Sequence, residues 1–550
     1  MSEEDALIKK FIFLLNKNKS DALFWLWLLL PLMACFRGVH PIQRSLFILI
    51  PIVAIINRKS VLLFLSTILI FLLPGALFYE GISGVSPGTD LWLILFYCSV
   101  PVAFGYVKSV ILYIIIWCIV CISIGYLCIW VSWGKGPIFR SKILRILLCL
   151  PLIFPIIKIH KNKTNFFHEV FYTPYGDINK YFSNLFPWSI FSGYLDAKFE
   201  VARITKEEEN LNHASLHITY PEKYQNNHTV VLVLGESGRR DHHHLFGYKV
   251  PDTPMLDQEK DLLAFSDMIT PFDYTIGSVP VILSRYDRVM DHSILHPDLM
   301  TIFNAAGYET YWISNHPRLG PYDSMVSLFA FHAKHSKYVT EGNGVMSRPH
   351  LDGEMLPYVE KAMKEQVGNK LIVVHIYGSH ELSSDRYPSA FSRFDDPYDN
   401  SILYSDYIIS QVLDMARAQK GETTFFYVSD HGLRVNECVP GAYHGDIRQS
   451  YEVPFLAWFS PEWIDKHPAE YAAAKSHLNT PMTTHVLSDT IADSADLRFS
   501  DFDPALSIFS QSLKSSTRVI HSDQSSSVID YDHSHNSLTC HVMADDNASR

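Results

Sequence analysis

Carboxylates and imidazoles recur in this chain where apolar runs stop. "VVLVLGES" delivers Glu236, "LIVVHIYGSH" delivers His380, "FFYVSDHG" delivers Asp430 and His431, and the following loop carries "YHGD" with His444. One apolar run ending in a polar residue is commonplace at a surface; three of them ending in Glu, His and Asp–His, with a histidine on the loop after the last, point to a shared centre. Oxygen and imidazole nitrogen together suit zinc, with manganese as the alternative, rather than a thiolate structural site. Such an ion lowers the pKa of a bound hydroxyl and stabilises charge on a phosphoryl oxygen. A hydroxyl is available in "FDYTIGSVPVILSR", where Thr275 and Ser278 precede Pro280 at a loop entering a helix. Free backbone N–H groups at such a start favour an anion. Other polar groups read more plainly: His242, His243 and His244 as solvated or structural, His375 as a packing histidine, and Arg239 with Asp241 as a local pair.

To hold these groups together the chain needs strands that end side by side. From residue 229 apolar runs of strand length, "TVVLVLG", "ETYWIS", "KLIVVHIYG", "TTFFYVSD" and "VPFLAWFS", are separated by helix-length segments such as "LYSDYIISQVLDMARAQ". Runs apolar on both faces alternating with helices predict an α/β domain with a largely parallel sheet. In such sheets ligands bind beyond the carboxyl ends of the strands. The catalytic domain is expected over 229–520, with 161–228 as an amphipathic linker lying on a membrane surface. Residues 521–550 read as a polar, partly disordered tail.

The first 160 residues are different in kind. They hold 14 Lys and Arg against 6 Asp and Glu, while the rest hold 32 against 51, so the overall charge of −11 combines a basic part with an acidic one. Apolar runs at 21–37, 42–57, 60–79, 109–133 and 142–158 predict a helical membrane domain of about five spans. Whether 91–107, which contains Pro101, also crosses is decided by the positive-inside rule. Five spans with the N-terminus inside place Lys9, Lys10, Lys17, Lys19, Arg58, Lys59, Lys135, Arg140, Lys142 and Arg145 on the inner side, and the catalytic domain outside the cytoplasm. A sixth span would move "GKGPIFRSK" outward and weaken the bias. "LMAC", ending at Cys35, is read as part of an ordinary anchor rather than a removed lipoprotein signal, because several apolar runs follow it. After residue 160 only Cys438 and Cys540 occur, which allows one disulfide at most.

In their order, "GESGRRDHHHLFGY", "TPML", "TIGSVP", "GSH", "YDNSILYSDYIISQVL", "SDHG" and "YHGD" after a membrane domain resemble the phosphoethanolamine transferases that modify lipopolysaccharide, within the alkaline phosphatase/sulfatase superfamily. The resemblance implies a bacterial inner-membrane enzyme with its catalytic domain in the periplasm. Its donor would be phosphatidylethanolamine and its acceptor lipopolysaccharide, at a core sugar or at lipid A; nucleic acid is not a partner. It further implies that Glu236, Thr275, Asp430 and His431 bind a catalytic zinc and that Thr275 is the nucleophile, passing through a covalent phosphothreonine. His380 and His444 would handle the phosphoryl group or a second zinc, and Asn315 or His316 would contact substrate. Ser278 is then a hydroxyl that caps the loop. The low cysteine count resembles the branch acting on core sugars. Two other readings stand beside this one: a phosphoglycerol transferase of the same superfamily drawing on phosphatidylglycerol, and an inactive envelope sensor or scaffold. A sulfatase would need a formylglycine-forming setting that the spacing after Ser278 does not provide.

Overall fold

The computed structural model describes residues 49–83, 137–150 and 189–195 of the first part, with isolated positions between them. In the second part it describes 227–285, 297–316, 324–340, 350–437 and most of 440–545. The chain divides into two compact units, Met1–Lys206 and Glu207–Arg550, the division falling inside the expected linker.

In the first unit, helix α1 (Lys59–Ser83, 25 residues) covers the run 60–79, and residues 49–56 are helical within the run 42–57. Helix α2 (Lys142–Cys149) begins at Ser141, whose hydroxyl accepts from the Leu144 N–H at 3.3 Å. The runs 21–37, 91–107 and 109–133 lie almost wholly outside the described residues. Among the described residues no helix is long and apolar enough to cross a membrane. The segment before α1 and the segment before α2 are tied together: Arg58 and Pro137 form a β-bridge, Asn57 exchanges hydrogen bonds with Phe139 at 3.0 and 2.7 Å, and the Arg145 guanidinium donates to the carbonyls of Ala54 and Ile55. Two of the basic segments expected on one side of the membrane are therefore neighbours.

The second unit is built on a seven-stranded sheet. Its strands are β1 (Thr229–Gly235), β2 (Leu263–Phe265), β3 (Glu309–Ser314), β4 (His335–Tyr338), β5 (Lys370–His375), β6 (Thr423–Ser429) and β7 (Phe455–Phe459). They lie in the order β2-β7-β6-β1-β5-β3-β4. From β6 to β4 neighbours are parallel, while β7 runs antiparallel to both β6 and β2. The expected sheet is thus mixed, with "VPFLAWFS" as its antiparallel member.

Because side chains alternate across a strand, each apolar run must be covered on both faces. Val230, Leu232 and Leu234 pack under α3 (Thr275–Ser284), α4 (Leu299–Ala305) and a helix at Leu487–Asp493, through Val279, Ile282, Phe303 and Ile491. Val231 and Val233 face the other way, against α5 (Leu356–Lys364) and α6 (Pro397–Arg417). α6 starts where its sequence says it should: Asp396 accepts from the Tyr398 N–H at 2.8 Å, and Pro397 occupies the first turn, where a missing N–H costs nothing. Ile402, Ile409, Val412 and Ala416 recur at helical spacing on its buried side.

Past residue 517 the chain forms a hairpin, β8 (Val519–Ser522) with β9 (Ser527–Asp530), where a polar tail is expected. Ile520, Ile529 and Tyr531 build a small core with Ile269 and Tyr451. Tails read as disordered when they lack enough apolar residues to build a core of their own. This one needs few, because Ile269 and Tyr451 supply two of its five residues.

Candidate active site

The sheet order is what assembles the centre. β6, β1, β5 and β3 are consecutive parallel neighbours. Their carboxyl ends therefore form a row, and the residues following them, Asp430 and His431, Glu236, His380, and Asn315 with His316, emerge along one edge.

Glu236 is buried at the end of β1. The chain turns at once: Ser237 adopts a left-handed conformation (φ 60°), its N–H donating to Asp430 Oδ1 at 3.0 Å and its hydroxyl to Glu236 Oε1 at 2.6 Å. Tyr398 of α6 braces this turn by donating to the Ser237 carbonyl at 2.6 Å while accepting from the Arg239 N–H at 2.9 Å. The His431 Nδ1–H donates to the Gly432 carbonyl at 2.9 Å, which fixes the tautomer and leaves Nε2 facing Glu236 Oε1 at 3.3 Å. Thr275 is the first residue of α3, and its hydroxyl donates to Glu236 Oε2 at 3.0 Å and lies 3.3 Å from His431 Nε2. Ser278 is occupied elsewhere, donating to the Phe272 carbonyl at 2.9 Å and accepting from Thr270 at 3.0 Å. Glycine is required at 277, where a Cβ would come within 2.4 Å of Phe272.

Glu236, Asp430 and His431 offer ligand atoms that all lie within 4.8 Å of one another, each from a buried residue. Asp430 Oδ2 is buried with no hydrogen-bond partner among the described residues. An orphaned carboxylate oxygen beside a second carboxylate is costly unless a cation completes the set. The residues present therefore fit a divalent ion with oxygen and nitrogen ligands. The protein's own charges show the same strain. Burial opposes ionisation of Glu236, yet His431 holds it well below the ordinary range. Burial, then the Glu236 charge, push Asp430 up to about 7. His431 is disfavoured as a cation by burial, but Asp430 and Glu236 outweigh this and raise it to about 10. A proton on His431 thus stands in for the cation the two carboxylates require.

A second grouping, Glu236 with His316 and His375, also falls within 4.8 Å. Here the two imidazoles stack in parallel, 3.9 Å apart and 3° from coplanar, so their lone pairs run side by side rather than converging on one ion. Tyr377 continues the stack at 4.5 Å from His316. His316 Nε2 sits 3.0 Å from the Ile376 carbonyl and 3.9 Å from Glu236 Oε2. Asn315 is committed to the scaffold: its amide donates to the His350 carbonyl and to Asp352, both at 2.8 Å, and accepts from Thr340 at 3.0 Å.

His380 and His444 flank the centre. The His444 ring centroid lies 5.0 Å from that of His431 and 6.0 Å from that of His380. Burial lowers His380 to about 3 and also lowers His444, so both are neutral bases at pH 7. The loop bearing His380 is pressed onto β1: Gly378 (φ +53°) approaches so closely that a Cβ would meet the Glu236 carbonyl oxygen at 2.6 Å, and the Ser379 N–H donates to that oxygen at 3.0 Å. Asp352 fastens the same loop by accepting from the N–H groups of Tyr377 and Gly378 at 2.8 and 3.0 Å. Asp352 carries no sequence signal of its partners, and Tyr398, though it opens "YDNSILYSDYIISQVL", is not disclosed there as the brace of the Ser237 turn.

The sulfatase family profile matches residues 228–495. The phosphoethanolamine transferase EptC of Escherichia coli O18:K1:H7 is 26% identical over 448 residues, covering 75% of this chain and 77% of that protein. Among solved structures, the periplasmic domain of Escherichia coli EptC in complex with zinc superposes with a TM-score of 0.52 at 26% identity, over 58% of this chain and 96% of that one. The integral membrane phosphoethanolamine transferase EptA of Neisseria meningitidis shares the fold over 90% of this chain and 97% of its own, with a TM-score of 0.54 at 17% identity.

Proposed function

This chain belongs to the lipopolysaccharide phosphoethanolamine transferase family, on a sulfatase-type domain, and from that premise we propose that it moves phosphoethanolamine from phosphatidylethanolamine to lipopolysaccharide through Thr275. The observation that carries the reading is the Thr275 hydroxyl, held at a helix start within 3.0 Å of Glu236 and 3.3 Å of His431. Glu236, Asp430, His431 and the Thr275 oxygen would hold zinc, which supplies the Lewis acidity that lets a threonine hydroxyl ionise near neutral pH.

The protein's own groups then have defined tasks. Thr275 Oγ1 forms a bond to phosphorus as the bond from phosphorus to the glycerol oxygen breaks; diacylglycerol leaves with a proton. An acceptor hydroxyl or phosphate next attacks the phosphothreonine and frees Thr275. His380 and His444, neutral at pH 7, are placed to give and take these protons. The N–H groups at the start of α3 would offer donors to the phosphoryl oxygens.

The acceptor is a lipopolysaccharide group, a core sugar or a lipid A phosphate; the relatives include both a transferase named EptC and a Kdo(2)-lipid A phosphoethanolamine 7''-transferase. The low cysteine count favours a core sugar. An inner-membrane anchor with a periplasmic catalytic domain accords with the apolar runs of the first 160 residues and with the fold shared with an integral membrane protein. The Arg58–Pro137 bridge supports five spans over six, since both basic segments then lie on the same side.

Peptide mapping of the enzyme incubated with phosphatidylethanolamine and no acceptor tests the mechanism. Phosphoethanolamine on Thr275 is expected, with Thr275→Ala inactive yet still zinc-loaded and Thr275→Ser partly active. An adduct on Ser278 would overturn the assignment, and one carrying glycerol would identify phosphatidylglycerol as the donor.

A further inference from the structure

We propose that Glu381 receives the ammonium group of the donor and thereby selects an amino-alcohol phosphate over a neutral one; this rests on the phosphatidylethanolamine reading. The residue follows His380 on the loop pressed against Glu236. The loop turns sharply just beyond it, at Leu382, which is exposed and left-handed (φ 61°). Among the described residues the Glu381 carboxylate has one hydrogen bond, accepting the His444 N–H on Oε1 at 3.0 Å. The cation nearest in sequence does not neutralise it: Arg386 donates to the Glu381 backbone carbonyl at 3.3 and 3.0 Å and lies flat on Tyr377 at 4.1 Å. Among the described residues Glu381 is thus a half-buried carboxylate without a cationic partner, tied to the residue whose ring stands 5.0 Å from His431.

Charge makes the position informative. A site that binds a phosphodiester gains nothing from an extra carboxylate at its rim, because like charges repel most where water is scarce. The arrangement becomes favourable when the ligand brings a cation two carbons beyond its phosphate ester. Glu236 and Asp430 belong to the metal set, which leaves Glu381 to meet it. The same carboxylate would repel phosphatidylglycerol, whose head group is neutral beyond the phosphate.

The test uses the full-length, zinc-loaded enzyme in phospholipid vesicles with two donors, phosphatidylethanolamine and its N-acetyl derivative, which lacks the positive charge. Glu381→Gln removes the charge while keeping an acceptor for the His444 N–H. The wild type should prefer the charged donor in kcat/KM by about 10- to 100-fold, the range for a hydrogen bond between charged groups. In Glu381→Gln that preference should collapse to within about twofold, through loss with the charged donor, while zinc content and melting temperature stay unchanged. Glu381→Ala also loses the tie to His444 and should fall with both donors. A preference surviving intact in Glu381→Gln overturns the role of Glu381 alone. A wild type that uses both donors equally overturns the role of Glu381 alone, and one that uses neither overturns the donor reading and this one with it.

Discussion

Replacing Gly378 by alanine tests whether the loop after β5 sets the geometry of the centre. Two costs add. The residue sits at φ +53°, a left-handed conformation that costs an L side chain roughly 1–2 kcal/mol. The new Cβ would also stand 2.6 Å from the Glu236 carbonyl oxygen and 3.1 Å from its nitrogen. Both atoms are tethered close by, because they follow directly on β1, which is hydrogen-bonded to β5 on one side and β6 on the other. The loop must move instead, stretching the 3.0 Å bond from the Ser379 N–H, and overpacking of this kind costs about 1–3 kcal/mol. The total expected is about 2–5 kcal/mol. Gly368→Ala is the control: its φ is +77° but a Cβ there meets nothing within 4 Å, so only the conformational cost applies. Urea denaturation of both variants isolates the contact as the difference between them, and turnover is measured beside it. Gly378→Ala should lose at least tenfold in transfer through displacement of His380 and keep its zinc. Equal stability of the two variants, or full activity in Gly378→Ala, refutes the reasoning.

Zinc binding to metal-free protein should release protons. His431 is raised to about 10, so its proton stabilises the metal-free fold fully below its ordinary pKa of 6.5, and that contribution is lost as pH climbs toward 10. Zinc must displace this proton, and calorimetry at pH 8 in buffers of different ionisation enthalpy should show at least one released per ion, and more where the Thr275 hydroxyl also ionises; a heat independent of buffer would show that His431 carries none. Replacing Glu236, Asp430 or His431 singly by alanine should remove both zinc and activity, with combined losses far from additive. His244→Ala, whose ring pairs with Asp257 at the surface, should leave both in place. Normal metal content in all three ligand variants would mean the strand ends serve another purpose.

What the sequence discloses here is what strands disclose. A run such as "TVVLVLG" announces a strand buried on both faces, and the residue after it is delivered to the sheet edge whatever else the chain does. Glu236, Asp430 and His431 were legible for that reason. The residues alone narrowed the candidate hydroxyl to Thr275 or Ser278, and the family resemblance chose Thr275; the hydrogen bonds of the two hydroxyls also set them apart. Asp352 was not legible, and Tyr398 and Gly378 lie in motifs that do not disclose their tasks, because those tasks depend on partners far along the chain: Tyr398 meets Ser237 across 161 residues. The sense of β7 also escaped, since an apolar run has no direction. Asn315 shows the opposite limit, a polar residue at a strand end whose amide is used up holding the scaffold.

The hairpin β8–β9 has a consequence in time. His521 stacks on Phe272 at 4.6 Å and donates its N–H to the Pro271 carbonyl at 2.8 Å, while Arg518 binds Asp267 across 251 residues. The segment that leads into Thr275 is thus held by residues made long after it. At ~5–20 residues per second, roughly 12–50 s separate the two in synthesis. For roughly the first two thirds of that interval Glu236 exists without Asp430 and His431, and throughout it the Thr275 segment lacks its backing. The Thr275 segment gains this packing only once residues 518–521 have been made, so a ribosome stalled short of residue 518 should yield a chain in which that segment lacks it.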